Sequence, residues 1–443
     1  MPAFSQAPHS RACAGRLRRL AGLAAAGLAA AGVLLPALLL PALLLPAATA
    51  LSLHDPKLQV LDLSPGGDKR YVAALNGELL PLTARGVSNA APQAATDSLH
   101  QLLTRCPLIK VDRFHNGGSF GRRTMVRGSF DVDLTVFVNE FGGRKLDFWA
   151  GDWSGEAGER LQVQLMREVA AWLRAQQGAV RSVVEVEQGT HYKHCINVEV
   201  RGVEVDIKLS ANAVQGSQAH DRGKAQRDAL MAALWDVPAA QRRADPAREA
   251  ALAEALTAVV KDTSDRVKSV ARLVKCWYKH SLKDRIPYVP SVLLEVLVLA
   301  AAQRVERREP QELMSSRTTE ITVFLEALAL LEAAASGREV VVLEADPKWG
   351  YTRVQADSCA HVWRGDAVKV LHPIDPTCNL AKAKSGRRVD WSRLAREARE
   401  LRRMMLSGSL DDLVTRSSLA PALRWLQQDG AAAGGAGAVS RGL

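Results

Sequence analysis

Two aspartates two residues apart, Asp131 and Asp133, lie in the run Phe130-Asp131-Val132-Asp133-Leu134-Thr135-Val136-Phe137-Val138, shortly after Gly117-Gly118-Ser119. The run is β-branched and aromatic, with apolar residues at every second place, which predicts a strand following a glycine turn. Residues two apart on a strand point the same way. Val132, Leu134, Val136 and Val138 therefore share one face, and the two carboxylates stand side by side on the other. Carboxylates that close repel each other unless a cation lies between them, and as hard oxygen ligands they suit Mg²⁺. Upstream, Gly117 and Gly118 let the backbone approach a ligand closely, and Ser119 adds a hydroxyl to the N–H groups of the turn. Taken singly, an Asp-x-Asp is usually a solvated pair and a Gly-Gly-Ser an ordinary turn. Together and in this order they make a phosphate cradle beside a metal-binding pair, the equipment of phosphoryl or nucleotidyl transfer.

This combination resembles the polymerase-β-type nucleotidyltransferases, and the spacing of Thr124, Arg127-Gly128 and residues 131–137 resembles the oligoadenylate synthetases among them. Three further segments carry the resemblance. In Val203-Glu204-Val205-Asp206-Ile207-Lys208-Leu209 the alternation by itself predicts a half-buried strand with Glu204, Asp206 and Lys208 on its polar face. The resemblance makes Asp206 the third catalytic carboxylate. Residues 266–280 place Val267, Val270, Leu273, Val274 and Trp277 on one helix face. There Arg-Leu-Val-Lys-Cys-Trp-Tyr resembles the synthetase helix whose lysine holds the incoming triphosphate, which implies that role for Lys275. Next, Pro290-Ser291-Val292-Leu293-Leu294-Glu295 resembles the following family helix, with Ser291 at an N-cap-like position that favours phosphate. Residues 372–380 are similar to the family's Asp-Pro-x-Asp-Pro-Thr-Gly-Asn-Leu turn, with His372 for the first Asp and Cys378 for Gly, and read as structural at a domain junction.

The resemblance spans residues 100–405 and implies a specific chemistry. Asp131, Asp133 and Asp206 would hold two Mg²⁺ ions, while Gly118, Ser119, Arg122, Lys275 and Ser291 would bind the triphosphate of ATP. The product would be a 2′-5′-linked oligoadenylate. Alternatives within the superfamily are nucleotide addition to an RNA 3′ end and cyclic dinucleotide synthesis. An inactive RNA- or nucleotide-binding relative is a further alternative, disfavoured because all three carboxylates are present. Departures exist: the family turn has Lys then Gly where this chain has Arg122 and Arg123, and the synthetases commonly have Gln at the place of Ser291.

Around these motifs the pattern predicts helices over residues 96–106, 159–176 and 321–335, and strands over 108–114, 180–186, 195–209 and 340–344. The expected fold is α+β: a small mixed nucleotidyltransferase sheet with helices over residues 51–215, a helical C-terminal domain over 216–405, and the site in the cleft between them. Residues 406–443 are expected to form a tail, Gly/Ala-rich and partly disordered beyond residue 430.

The chain has 443 residues and a formal charge of +11, an excess that fits polyanionic partners such as nucleotides or RNA. Its six cysteines are scattered without a Cys-x-x-Cys pair, and His191, His194 and Cys195 lack a second distant pair, so neither a disulfide framework nor zinc is expected. Residues 1–19 carry four arginines and no acid, and residues 20–50 carry no charge. That segment is expected to be an address or anchor, as a signal peptide, a signal anchor or an organelle presequence. An organelle or endomembrane location follows from it, with the cytoplasm as the alternative. Duplex RNA activates the animal synthetases. Where those have Gln-Arg-Asp-Phe-Leu-Lys, this chain has Leu256-Thr257-Ala258-Val259-Val260-Lys261. Loss of the arginine predicts weak RNA stimulation at most. The family's Cys-Phe-Lys oligomerisation signature is absent after Arg403.

Overall fold

Alternating apolar and polar residues need a sheet with one covered face, and the molecule builds one. The computed structural model describes residues 89–126, 132–176, 178–188, 193–308, 319–344, 350–382, 388–407 and 410–425. Helix α1 (Ala90–Thr104) leads into β1 (Ile109–Asn116), a one-and-a-half-turn helix α2 (Gly118–Arg122), then β2 (Asp133–Phe141) and the short β3 (Arg144–Lys145). Helix α3 (Gly155–Ala175) precedes β4 (Arg181–Gln188), β5 (Lys193–Val200) and β6 (Val203–Ala211). The strand order is β1-β2-β6-β5-β4, with β3 paired to β2. All pairs in this sheet are antiparallel except β2 with β6, which is parallel, so the sheet is mixed as expected.

One face of the sheet carries Leu134, Val136, Val138, Ile196, Val205 and Ile207, all 0% exposed and all in one core cluster with Leu99 of α1 and Leu165 and Val169 of α3. The strand expected over 195–209 is in fact a hairpin. Arg201 (φ +52°) and Gly202 (φ +76°) form its two-residue turn, both in the left-handed conformation that matches strand twist. An arginine at such a position is unusual, and the turn is invisible in the alternation pattern. Likewise, the glycine turn does not run straight into a strand: α2 intervenes.

The remaining helices are α4 (Arg222–Asp236), α5 (Pro246–Ala251), α6 (Ala253–Lys261), α7 (Asp265–Trp277), α8 (Ser291–Arg308) and α9 (Thr319–Ala335). After β7 (Val340–Val341) come α10 (Arg353–Asp357), α11 (Ala360–Trp363), β8 (Lys369–Val370), α12 (Trp391–Ser407) and α13 (Leu410–Arg416). They bury a second core, with Trp277, Leu293, Phe324 and Leu394 each 0% exposed. This helical core runs past the boundary expected at residue 405. Leu410, Leu413 and Leu419 are fully buried, Trp277 Nε1 donates to Ser418 Oγ at 3.0 Å, and Trp425 stacks on His280. Apolar spacing at 410, 413, 419 and 423 explains this, since each large side chain taken from water contributes about 1.5–3 kcal/mol. The segment 1–50 and the end of the tail lie outside the described residues. No helix among the described residues is long and apolar enough to cross a membrane.

Candidate active site

β1 ends at Asn116, and the chain turns on Gly117 and Gly118, the latter at φ +62°. The Gly117 N–H donates to the carbonyl of Asp133 at 2.7 Å. A Cβ on Gly117 would lie 3.5 Å from the Cβ of Asp133, so the turn rests flush against the start of β2. At Gly121 a Cβ would fall 2.0 Å from the Asn116 carbonyl oxygen, inside any contact distance. The absence of side chains therefore packs α2 against the end of β1. Arg123 caps α2 at φ +60°, ψ +35°, a left-handed position where the family's glycine costs nothing and an arginine costs about 1 kcal/mol.

Asp133 lies directly opposite Asp206 in the parallel pairing of β2 with β6, and the Asp206 N–H donates to Val132 O at 2.9 Å. On the other side Asn197, opposite Asp206 on β5, donates its Nδ2–H to Asp206 Oδ1. Cys195, two residues from Asn197 on the same face of β5 and opposite Lys208, is buried. Burial pushes its thiol well above the usual range, and the charges of Asp206 and then Asp133 add to the shift. Asp133 and Asp206 stand at paired positions of adjacent parallel strands. Hard oxygen donors at adjacent register positions fit a divalent cation such as Mg²⁺. Among the described residues no group of three His, Cys, Asp or Glu side chains is placed to hold a metal; Asp131, the expected third ligand, lies outside them.

Lys275 and Arg122 are not where an open triphosphate grip would put them. Lys275 is 0% exposed, and its ammonium donates to Glu295 Oε1 at 2.8 Å, Thr124 O at 3.1 Å and Thr124 Oγ1 at 3.2 Å. An ammonium has three N–H donors, and all three are engaged. Arg122, buried at the end of α2, donates from Nε to Glu295 Oε2 at 2.6 Å. Both expected phosphate ligands thus meet on a carboxylate that the sequence pattern did not single out. A signal was present: Glu295 interrupts an otherwise apolar run, and an acid there is costly unless partnered. Burial by itself would raise the Glu295 carboxyl. The charges of Arg122 and Lys275, with hydrogen bonds from Lys275 and Thr124, outweigh it and hold the carboxyl below the usual range.

Ser119, like Gly118, is buried, within α2. Ser291 is the first residue of α8 rather than its cap, because the carbonyl of Pro290 takes the first-turn bonds from Leu293 and Leu294. Thr257 is also buried, on α6, where its Oγ1 lies 2.9 Å from His115 Nε2. The position expected to face RNA is therefore part of the contact between the sheet and the helices. At the turn of residues 372–380, His372 Nδ1 accepts the N–H groups of Ile374 and Asp375, and Arg248 of α5 donates to the buried Asp375 at 2.7 Å.

His115, whose ring approaches Gly117, has its pKa lowered to about 4, first by burial and then by the charges of Arg113, Arg122 and Lys261. The folded protein keeps this imidazole neutral down to about pH 4. The unfolded chain takes a proton near its ordinary pKa of about 6.5. Between those values the unfolded state binds more protons, so stability falls as pH falls, and the loss is complete below the folded value. Wild type should lose about 1–2 kcal/mol more than His115→Gln between pH 7 and pH 4.5, allowing for the ring's partial exposure. Urea unfolding of both proteins at the two pH values measures this; equal losses would show that His115 does not titrate in that window.

A cleft of about 540 Å³ opens between the sheet and the helices, lined among others by Trp153, Lys208, Glu249, Trp363, Thr377 and Asn379. Lys208 lies two residues beyond Asp206 on the same strand face. The volume is within the range of small-molecule sites, and neither Asp133 nor Asp206 is among the residues that line it.

No protein-family model matches this chain, and no curated protein matches it. Among solved structures it is similar to terminal uridylyl transferase 4 from Trypanosoma brucei with bound dUTP, at 16% identity and TM-score 0.42, covering 75% of this chain and 98% of that one. It is similar to the Cid1 poly(U) polymerase bound to MgATP at 14% identity and TM-score 0.44, over 76% of this chain and 92% of that one. A third, CdnC of E. coli MS115-1 with ATP, has 16% identity and TM-score 0.41, over 76% of this chain and 88% of that one. These likenesses are distant in sequence and partial in superposition.

Proposed function

We propose that this protein is a nucleotidyltransferase that uses ATP and Mg²⁺. One observation carries the reading: Asp133 and Asp206 stand opposite each other on adjacent parallel strands, with the side-chain-free glycine turn resting on Asp133. Asp133, Asp206 and, by the sequence, Asp131 would hold two Mg²⁺ ions. Such ions, when bound, make a ribose hydroxyl more acidic and neutralise a departing pyrophosphate. Asp206, which accepts a hydrogen bond from Asn197, would take the hydroxyl proton in this reading. The bare backbone of Gly117 and Gly118 admits the triphosphate closely, and Ser119 and Ser291 are its polar neighbours in this reading. Arg122 and Lys275 would contribute charge at one remove, through the position they hold on Glu295.

The product we favour is a 2′-5′-linked oligoadenylate, supported by the sequence resemblance around Asp131, Asp206 and Lys275. Nucleotide addition to an RNA 3′ end and cyclic dinucleotide synthesis use the same carboxylates and remain the alternatives. The test incubates the full chain with labelled ATP and Mg²⁺, with and without duplex RNA, and digests products with linkage-specific nucleases. Short oligomers resistant to 3′-5′-specific nuclease, formed with little dependence on duplex RNA, support the reading. Products cleaved by that nuclease would favour an alternative, and no product from any nucleoside triphosphate would overturn it. The proposal that residues 1–50 are an address or anchor is tested separately, by comparing fractionation of the chain with and without them.

A further inference from the structure

Glu295 deserves a role of its own because of what meets on it. It is fully buried on α8, an otherwise apolar helix face with Leu293, Leu294, Val296 and Leu297 in the second core. Three donors converge on its two oxygens, each from a different element: Arg122 at the end of α2, Thr124 in the segment after it (Oγ1 to Oε1, 2.5 Å), and Lys275 on α7. From this carboxylate to the metal-binding pair is a short, stiff path. Arg122 ends the five-residue helix that begins at Gly118, and Gly117 is bonded to the Asp133 carbonyl. Arg272 of α7 adds a second tie, donating to the carbonyl of Arg123.

We propose that Glu295 is a positioning residue for nucleotidyl transfer: its carboxylate ties α7 and α8 to the glycine turn, and so sets where the turn presents a triphosphate to Asp133 and Asp206. The proposal rests on the nucleotidyltransferase reading. It assigns Glu295 no contact with substrate and no proton transfer. A carboxylate suits this work better than an apolar residue because it has two acceptor oxygens and three donors to align at once. Misplacing a reacting group by about 1 Å can cost on the order of a hundredfold in rate, so a tie this close to the turn bears on turnover rather than on affinity alone.

The key variants keep the site's charge or its shape. Glu295→Asp retains the carboxylate and retracts it by one methylene; Thr124→Val is nearly isosteric and deletes one donor. Each is expected to lower kcat by about tenfold or more, with KM for ATP changed by less than about threefold, in protein whose folded fraction matches wild type. Hydrogen exchange supplies a readout that does not need activity: the amides of residues 117–124 should exchange at least about tenfold faster in both variants, while those in β5 and β6 do not change. A purely structural role would lower the unfolding midpoint without this local change in exchange and without separating kcat from KM. If Glu295→Asp does not fold, Thr124→Val decides. Unchanged kcat and unchanged exchange at residues 117–124 in Thr124→Val would overturn the proposal. If wild type transfers no nucleotide at all, the proposed function fails instead, and the exchange data still show whether Glu295 holds the turn.

Discussion

Asp133→Asn is expected to lower nucleotide transfer by at least about a thousandfold, equivalent to roughly 4 kcal/mol of transition-state stabilisation, with little change in folding. The substitution keeps the side chain's volume and removes the charge that faces Asp206 across the β2–β6 pair. Two carboxylates at paired positions of adjacent strands repel in the absence of a cation, so losing one charge relieves that repulsion. In the proposed reading Asp133 holds Mg²⁺, and its loss would cost the reaction most of what the metal supplies. Asp206→Asn should act alike, with an added effect from the altered pairing to Asn197. The measurement is pyrophosphate release under saturating ATP and Mg²⁺, alongside a thermal melt. Near-wild-type turnover in Asp133→Asn, with an unchanged melt, would sink the metal-pair reading.

Gly121→Ala should be comparably damaging although it touches no carboxylate. The added Cβ would lie 2.0 Å from the Asn116 carbonyl oxygen and 2.8 Å from its carbon. Neither is the end of a flexible side chain, so the backbone itself must shift. The expected cost is about 3–5 kcal/mol of stability, and any protein that does fold will carry α2 away from β1. Because α2 links the Glu295 contacts to the turn on Asp133, transfer per folded molecule should also fall. Gly365→Ala is the control: nothing lies within 4 Å of its Cβ, and its effect should stay within about 0.5 kcal/mol. A normal melting temperature for Gly121→Ala would show that Gly121 does not pack directly against the Asn116 carbonyl.

Much of the site could be read along the chain because its signals are local. The alternation of Val132, Leu134, Val136 and Val138 puts one face of β2 in the core, and each of the four is at most 2% exposed. The same arithmetic put Asp206 on the polar side of β6. Other features depend on a non-local partner or an uncommon backbone state, which no local signal carries. The Arg201-Gly202 turn leaves no usual turn signal, because its first residue is an arginine in the left-handed conformation. Lys275 was expected at the cleft, yet its ammonium is turned to Glu295 and Thr124, from the next helix and from a segment about 150 residues away. Thr257 stands where the family resemblance puts an RNA-facing arginine, yet it is buried in contact with His115.

By itself, then, the sequence determined the glycine turn, the Asp-x-Asp pair, and the place of Asp206 on the polar face of a second alternating strand, its chemical role being implied only by the family resemblance. It did so because side-chain direction along a strand has a period of two, and glycine's freedom needs no partner. Only the tertiary structure decided that Asp206 faces Asp133 and that Arg122 and Lys275 meet on Glu295. Those contacts depend on which strands pair, in what direction and register, and on which helices cross. That choice is made by burial summed over the two cores, not by any short stretch of residues.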